Sequence, residues 1–225
     1  MITEEIKKII QGDTADDEST LDAYSRDASL FQIKPDLVVF PRNTDDLKAL
    51  VNFVRAKKAI LPNISLTARS GGTDMTGVSI NHSVIIDFQK YFNHVKEIGD
   101  GFATTEPGVF YRDFERETLK SGYLLPSYPA SREICTVGGM VANNAGGEKS
   151  LIYGKTENYV ENLKVILSDA NEYEFKPLVR SELEEKIKLD NFEGIIYRKV
   201  FNLIEENYEN VVKGKFLTNY KYKLK

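Results

Sequence analysis

Two glycine-rich segments carry the residue types that are suited to binding a phosphate group. The first, TARSGGTDMTG at residues 67–77, holds three glycines between polar side chains. The second, CTVGGMVANNAGGEKSLIYG at residues 135–154, holds five more. Glycine permits left-handed backbone dihedrals and close approach of a ligand, and converging backbone N–H groups bind anions. Together the segments predict a site for a long ligand with a diphosphate and a flat ring system.

Two common phosphate-binding motifs do not fit the first segment. A Walker loop needs lysine followed by Ser or Thr after its last glycine, but Val78 follows Gly77. A dinucleotide-binding βαβ turn needs a helix directly after the glycines, but VSINHSVIIDF is typical of a strand. A strand–loop–strand nest for an anion remains, beside the alternative of a wide turn that binds nothing. In the second segment, MVANNA predicts a small-residue turn against which a flat ligand can lie.

The elements that position these segments follow a mixed order. A strand at 37–40 leads into a helix whose predicted N-cap is Thr44, and the strand 63–68 runs directly into the first glycine segment. This order predicts an α+β domain with two lobes, mixed sheets and flanking helices. The remaining predicted elements are strands at 83–88 and 158–169, a turn at 169–171, and helices at 3–11, 17–28, 111–122, 180–190 and 194–208.

Composition excludes several classes of protein. Of 225 residues, 41% are hydrophobic and 28% are charged, and the net charge of −4 gives no general argument for binding nucleic acid or an anionic membrane. A single cysteine, Cys135, excludes an intrachain disulfide and a cysteine-built metal cluster. No apolar run has the length of a membrane span, and the acidic, amphipathic N-terminus is not typical of a signal peptide. We expect a cytoplasmic protein, with peripheral membrane contact left open, and no metal site.

The sequence resembles the FAD-binding domain of the vanillyl-alcohol oxidase/p-cresol methylhydroxylase (PCMH) superfamily. It is particularly similar to glycolate oxidase subunits and to D-lactate or other D-2-hydroxyacid dehydrogenases. The resemblance covers about residues 20–175 and rests on motifs in the order that the family has them. These motifs are VVFPRNTDDLKALVNF, ARSGGTDMTG, TTEPGV, LLPSYPAS, TVGGMVANNAGG, YG and VILSDAN.

The resemblance implies a two-lobed PCMH-type FAD-binding fold, with subdomains at roughly 1–95 and 96–225. It also implies a set of FAD contacts, namely Arg69, Ser70, Gly71, Gly72, Thr73, Asp74, Gly77, Pro107, Ser131, Thr136, Gly138, Gly139, Ala142, Asn143, Gly146 and Val160. Members that attach flavin through histidine carry it directly after the paired glycines, where this chain has Thr73. We therefore expect non-covalent FAD, surface positions for His82 and His94, and a small buried side chain at Cys135.

The function implied by the resemblance is oxidation of a D-2-hydroxy acid such as lactate or glycolate, with hydride transfer to flavin N5. Relatives continue into a substrate-binding cap, which carries the substrate-binding and catalytic groups. The sequence therefore predicts no catalytic residue here and predicts that a missing cap or a partner subunit supplies the substrate site. The alternative function is a non-catalytic flavin-binding module that works only with a partner. A third function within the superfamily, that of a peptidoglycan-precursor reductase, has less support from the sequence. The lysines from Lys213 to Lys225 indicate a solvated segment rather than a nucleic-acid tail.

Overall fold

The computed structural model describes residues 2–214 of the chain. Two compact units are present, the first running to Glu172 and the second beginning at Tyr173. Residues 215–225, which carry most of the predicted lysine-rich tail, lie outside the described residues. Among the residues described, no helix combines the length and the apolar character that crossing a bilayer requires.

A four-stranded sheet positions the first glycine segment. Its strands are β1 (Asp13–Ala15), β2 (Leu37–Phe40), β3 (Leu66–Arg69) and β4 (Val84–Asp87), in the spatial order β1-β2-β4-β3. The strands β2, β4 and β3 are parallel, and β1 is an antiparallel edge strand. Since β4 lies between β2 and β3, residues 70–83 must carry the chain from the carboxyl end of β3 back to the start of β4.

One helix packs on this sheet after β2. It is α3 (Thr44–Lys57), and its N-cap is Asn43 rather than Thr44. The prediction of Thr44 as the cap was wrong by one residue because Asn43 has an extended backbone and its Oδ1 accepts the Asp46 N–H at 3.0 Å. A core forms between sheet and helices, with Ile6, Leu37, Val39, Leu50, Val84 and Ile86 buried.

A second core lies after residue 95. The hairpin β5 (Val95–Ile98) and β6 (Ala103–Thr105) precedes the helices α4 (Tyr111–Leu119) and α5 (Val137–Ala142). The buried residues of this core are Val109, Tyr111, Phe114, Tyr128, Cys135, Val137, Met140 and Ala145. The two cores fall on either side of the predicted subdomain boundary near residue 95, and the boundary itself stays a prediction.

The remaining elements confirm the α+β class, because parallel and antiparallel sheets are flanked by helices. Two predicted N-terminal helices are shorter than expected, at α1 (Ile2–Ile6) and α2 (Glu18–Ala23). The predicted turn at 169–171 is confirmed, with Ala170 at a φ of 66°. The other elements are α6 (Ser150–Tyr153), a 3-10 helix (Thr156–Tyr159), β7 (Leu163–Ile166) and β8 (Glu172–Phe175), α7 (Arg180–Lys188) and α8 (Phe192–Glu206).

Candidate functional site

The first glycine segment leaves the sheet at the carboxyl end of β3, where parallel α/β sheets commonly bind ligands. Gly72 and Gly77 have left-handed φ values of 61° and 85°, which glycine adopts at little cost. Asp74 closes the loop on itself, since its Oδ2 accepts from the Thr76 N–H at 2.7 Å and from the Thr76 hydroxyl at 2.6 Å. These hydrogen bonds from Thr76 tie the carboxylate to the loop, and they also lower the pKa of Asp74.

The second glycine segment contains a short helix that takes in the first half of MVANNA, through Ala142, and the predicted turn is confined to Asn143 and Asn144. Thr136 is buried and caps α5, with its Oγ1 accepting the Gly139 N–H at 3.3 Å. The Gly138 N–H donates to the Pro107 carbonyl oxygen at 2.9 Å. A Cβ atom at Gly138 would lie 2.4 Å from Pro107 Cβ, so this glycine is required for close packing.

The structure brings the two segments into contact. A Cβ atom at Gly71 would lie 2.2 Å from the Ile134 carbonyl oxygen, and one at Gly139 would lie 3.0 Å from Ser70 Oγ. Such approach distances leave no room for a side chain at Gly71. Residues that are about sixty positions apart in the chain therefore form one continuous backbone surface.

The other predicted contact residues extend from the second segment. Ala142 and Asn143 are exposed at the end of α5, and the Ser131 carbonyl oxygen accepts from Ile134 and Cys135 N–H groups, at 2.9 Å and 2.8 Å. A Cβ at Gly146 would lie 2.7 Å from Ser150 Oγ.

Val160 directly follows the 3-10 helix. That helix is attached to the second segment, because the Thr156 N–H and hydroxyl both donate to the Ala145 carbonyl oxygen, at 3.0 Å and 2.8 Å. The structure therefore connects the position of Val160 to the end of the second segment through Thr156.

The residues relevant to flavin attachment lie as the sequence indicated. Thr73 follows the paired glycines directly, and both His82 and His94 are exposed. Cys135 is buried in the second core, and burial raises the pKa of its thiol. A thiol with a raised pKa is a poor nucleophile at neutral pH.

Sequence reasoning missed one part of the site. The sequence predicts a helix over residues 17–28, but α2 ends at Ala23. Residues 26–31 instead cover the first glycine segment. The Ala28 N–H donates to the Gly72 carbonyl oxygen at 3.1 Å, and a Cβ at Gly77 would lie 2.9 Å from the Phe31 ring. The Ser and Asp residues of SRDAS are typical of turns, and they are the sequence feature that could have predicted the end of the helix here.

At the start of the first segment, a cluster of polar side chains lies around Arg69. Its guanidinium lies 5.2 Å from the centroid of the Tyr24 ring, and the Tyr24 hydroxyl donates to Asp87 Oδ2 at 2.9 Å. Burial lowers the pKa of Arg69 and raises the pKa of Tyr24 and Asp87. Within residues 2–214, no group of three or more His, Cys, Asp or Glu side chains is arranged to hold a metal ion.

Comparisons with known proteins agree with this geometry. The family described as FAD binding domain matches residues 35–175, more than half of the chain. The chain is 29% identical over 216 residues to D-2-hydroxyglutarate dehydrogenase of Pantoea ananatis, covering 93% of this chain and 21% of that protein. It is 34% identical over 180 residues to glycolate oxidase subunit GlcD of Bacillus subtilis, covering 76% of this chain and 37% of that protein.

Solved structures show the same fold. An alkyldihydroxyacetonephosphate synthase aligns with a TM-score of 0.68 at 21% identity, over 86% of this chain and 36% of its own. The 6-hydroxy-D-nicotine oxidase of Arthrobacter nicotinovorans aligns with a TM-score of 0.64 at 21% identity, over 77% of this chain and 38% of its own. The chain thus spans about a fifth to two-fifths of the length of these proteins.

Proposed function

Because the chain belongs to the FAD-binding domain family, we propose that it binds FAD non-covalently and serves as the flavin-holding part of an enzyme that oxidises a D-2-hydroxy acid. The observation that carries the proposal is the contact between the two glycine segments, where the Cβ positions of Gly71 and Gly139 are occupied by Ile134 and Ser70, so that one ligand could touch the main chain of both segments. Main chain that carries no side chain suits the close approach of a diphosphate and a flat ring.

We assign the cofactor contacts by segment. The first segment surrounds the pyrophosphate with Ser70, Gly71, Gly72, Thr73, Asp74 and Gly77, and the backbone N–H groups supply most of the hydrogen bonds. The second segment and its supports hold the remainder of FAD through Pro107, Ser131, Thr136, Gly138, Gly139, Ala142, Asn143, Gly146 and Val160. We propose subdomains of roughly 1–95 and 96–225, and each of them would then contain one of the two glycine segments.

Bound FAD would supply a hydride acceptor for oxidation of the substrate α-carbon. The contribution of this chain is to orient the cofactor and to keep one of its faces against protein. Rigid backbone suits this task, because glycines that are fixed by packing and by hydrogen bonds do not have to reorganise when FAD binds.

The substrate class is proposed from the similarity to D-2-hydroxyglutarate dehydrogenase and to the glycolate oxidase subunit. We propose that the groups that bind this acid lie outside residues 2–214, in further sequence of the same polypeptide or in a partner subunit. Exposed apolar side chains next to both segments support this, since Met75, Val78, Ile134, Leu151 and Ile152 are 56–96% exposed. Apolar surface of this kind marks a place where another body packs.

A second function is a flavin-binding module that turns over no substrate by itself. The same exposed apolar rim favours it, because the rim indicates a site that is completed by another body. FAD titration of the 225-residue chain, followed by anaerobic mixing with D- and L-2-hydroxy acids, tests the cofactor assignment and the placement of the substrate-binding groups outside residues 2–214. Saturable FAD binding supports the cofactor proposal, and its absence refutes it. Stereospecific bleaching of the flavin band would show that the chain contains its own substrate site, contrary to our assignment.

A further inference from the structure

We propose that Arg69 is a positioning residue, which holds the first glycine segment in its ligand-binding conformation by hydrogen bonds to the main chain. The sequence predicts direct contact between Arg69 and FAD, whereas the geometry points to a guanidinium that is committed to protein carbonyl groups. This inference rests on the proposed function, because the conformation that Arg69 stabilises is the one proposed to bind the pyrophosphate.

The guanidinium connects both ends of the segment. Arg69 lies near the start of the segment, at the end of β3, and its Nη1 donates to the carbonyl oxygen of Ser79, beyond the last glycine, at 3.4 Å. Its Nη2 donates to the carbonyl oxygen of Arg26 at 2.6 Å. One planar side chain therefore links the start of the loop, the chain just after it and the covering residues 26–31. A lysine ammonium lacks the fork geometry that reaches two such carbonyl groups.

The Tyr24 ring and Asp87 hold the guanidinium in place. It lies over the Tyr24 ring, whose hydroxyl donates to Asp87, and Asp87 is the register partner of Arg69 in the parallel pairing of β3 and β4. The other oxygen of Asp87 accepts the Gln89 N–H at 2.8 Å. Sheet, ring and carboxylate thus fix the position of the side chain before any ligand arrives.

These contacts of Arg69 fix the orientation of the peptide group that joins Gly72 to Thr73. A Cβ atom at Gly72 would lie 2.5 Å from Arg69 Nη2, so the guanidinium packs against this glycine in its left-handed conformation. The Gly72 carbonyl oxygen is turned towards Ala28, which donates to it. In a trans peptide the C=O and N–H groups point in opposite directions. The contact therefore directs the Thr73 N–H away from residues 26–31, and keeps it available to an anion.

The test uses Arg69→Lys and Arg69→Met in the 225-residue chain, with Arg55→Met as the control. Arg55 also donates to a carbonyl group, that of Asp169, but is exposed on α3. Amide hydrogen exchange is measured without ligand, and FAD affinity is measured by titration. We expect Ala28 exchange to be about tenfold faster in both Arg69 variants. Exchange in β2 and β4 should stay unchanged, which separates a local positioning role from general destabilisation.

FAD affinity gives the second readout. Both Arg69 variants should bind FAD about tenfold more weakly, and the Arg55 variant should match the wild type. Full affinity in Arg69→Lys with loss in Arg69→Met would show that the charge matters and would overturn the proposal. Unchanged Ala28 exchange would also overturn it. Absence of FAD binding by the wild type would refute the proposed function instead, while the exchange measurement would still report on the role of Arg69.

Discussion

Gly71 lies so close to Ile134 that a Cβ atom on the glycine would come within 2.2 Å of the isoleucine carbonyl oxygen. This contact joins the two segments of the proposed FAD site. We expect Gly71→Ala to separate them and to weaken FAD binding by about tenfold or more, as isothermal titration would measure. Gly214→Ala is the control, since none of residues 2–213 comes within 4 Å of its Cβ position. Wild-type affinity in Gly71→Ala would mean that FAD does not bridge the segments.

Gly72→Val should abolish FAD binding. Valine in the left-handed region costs about 1–2 kcal/mol, and its Cβ would displace the Arg69 guanidinium. The matched control is Gly122→Val, because Gly122 has a φ of 80° and open space around its Cβ position. Both variants should lose similar thermal stability, but only Gly72→Val should lose FAD. Gly12 is unsuitable as a neutral control, since a Cβ there would lie 2.0 Å from the Phe40 carbonyl oxygen.

Acid precipitation of the FAD-loaded chain should leave the yellow colour in the supernatant. Thr73 occupies the position at which histidyl attachment occurs in resembling proteins, and the buried Cys135 has a raised thiol pKa. Absorbance of pellet and supernatant at the flavin band is the measurement. Colour that remains with the pellet in the wild type and is lost in Cys135→Ser would identify a cysteinyl bond and contradict the prediction.

Asp46→Ala should destabilise the fold without acting on the FAD site. The buried carboxylate accepts N–H groups of Gln11, Gly12 and Arg42 at 2.8–2.9 Å, so its loss leaves three partly buried backbone donors without their acceptor. We expect the free energy of unfolding to fall by about 3 kcal/mol in urea titration. The neighbouring Asp45→Ala should change the free energy of unfolding by less than about 1 kcal/mol, because Asp45 is exposed and stabilises α3 only through the helix dipole. Equal losses would show that the three hydrogen bonds contribute nothing.

The N-cap of α2 predicts a pH effect on stability. Hydrogen bonds from Thr20 and Ser19 lower the pKa of Asp17 to about 2. A carboxyl group whose folded pKa is below its unfolded value stabilises the fold above the unfolded pKa, and this contribution disappears as pH falls through the folded value. The difference in melting temperature between wild type and Asp17→Asn should therefore be largest above about pH 4, decrease as pH falls towards about 2, and vanish only below that value. Asp16→Asn is the control, and a pH-independent difference for Asp17→Asn would contradict the assignment.

Much of this arrangement was predictable from local sequence signals. Strand 37–40 and the strand around Val84–Asp87 are short apolar runs buried in a parallel sheet. The glycine-rich connection from β3 to β4 was recognised by composition. The helix in the second segment was not recognised, because glycine and asparagine have low helix propensity. Packing of Gly138 on Pro107 and capping by Thr136 override that propensity. The cover provided by residues 26–31 depends on contacts between distant positions, which local patterns do not contain.

The strand order has a consequence for the length of the first glycine segment. Neighbouring parallel strands require a crossover of about a dozen residues or more, and residues 70–83 provide it between β3 and β4 without a helix. The same residues therefore determine whether β4 can insert between β2 and β3. A deletion intended to remove ligand binding would therefore also shorten the connection between the paired strands β3 and β4. A single substitution in this stretch leaves its length intact, but the number of residues is set by the sheet.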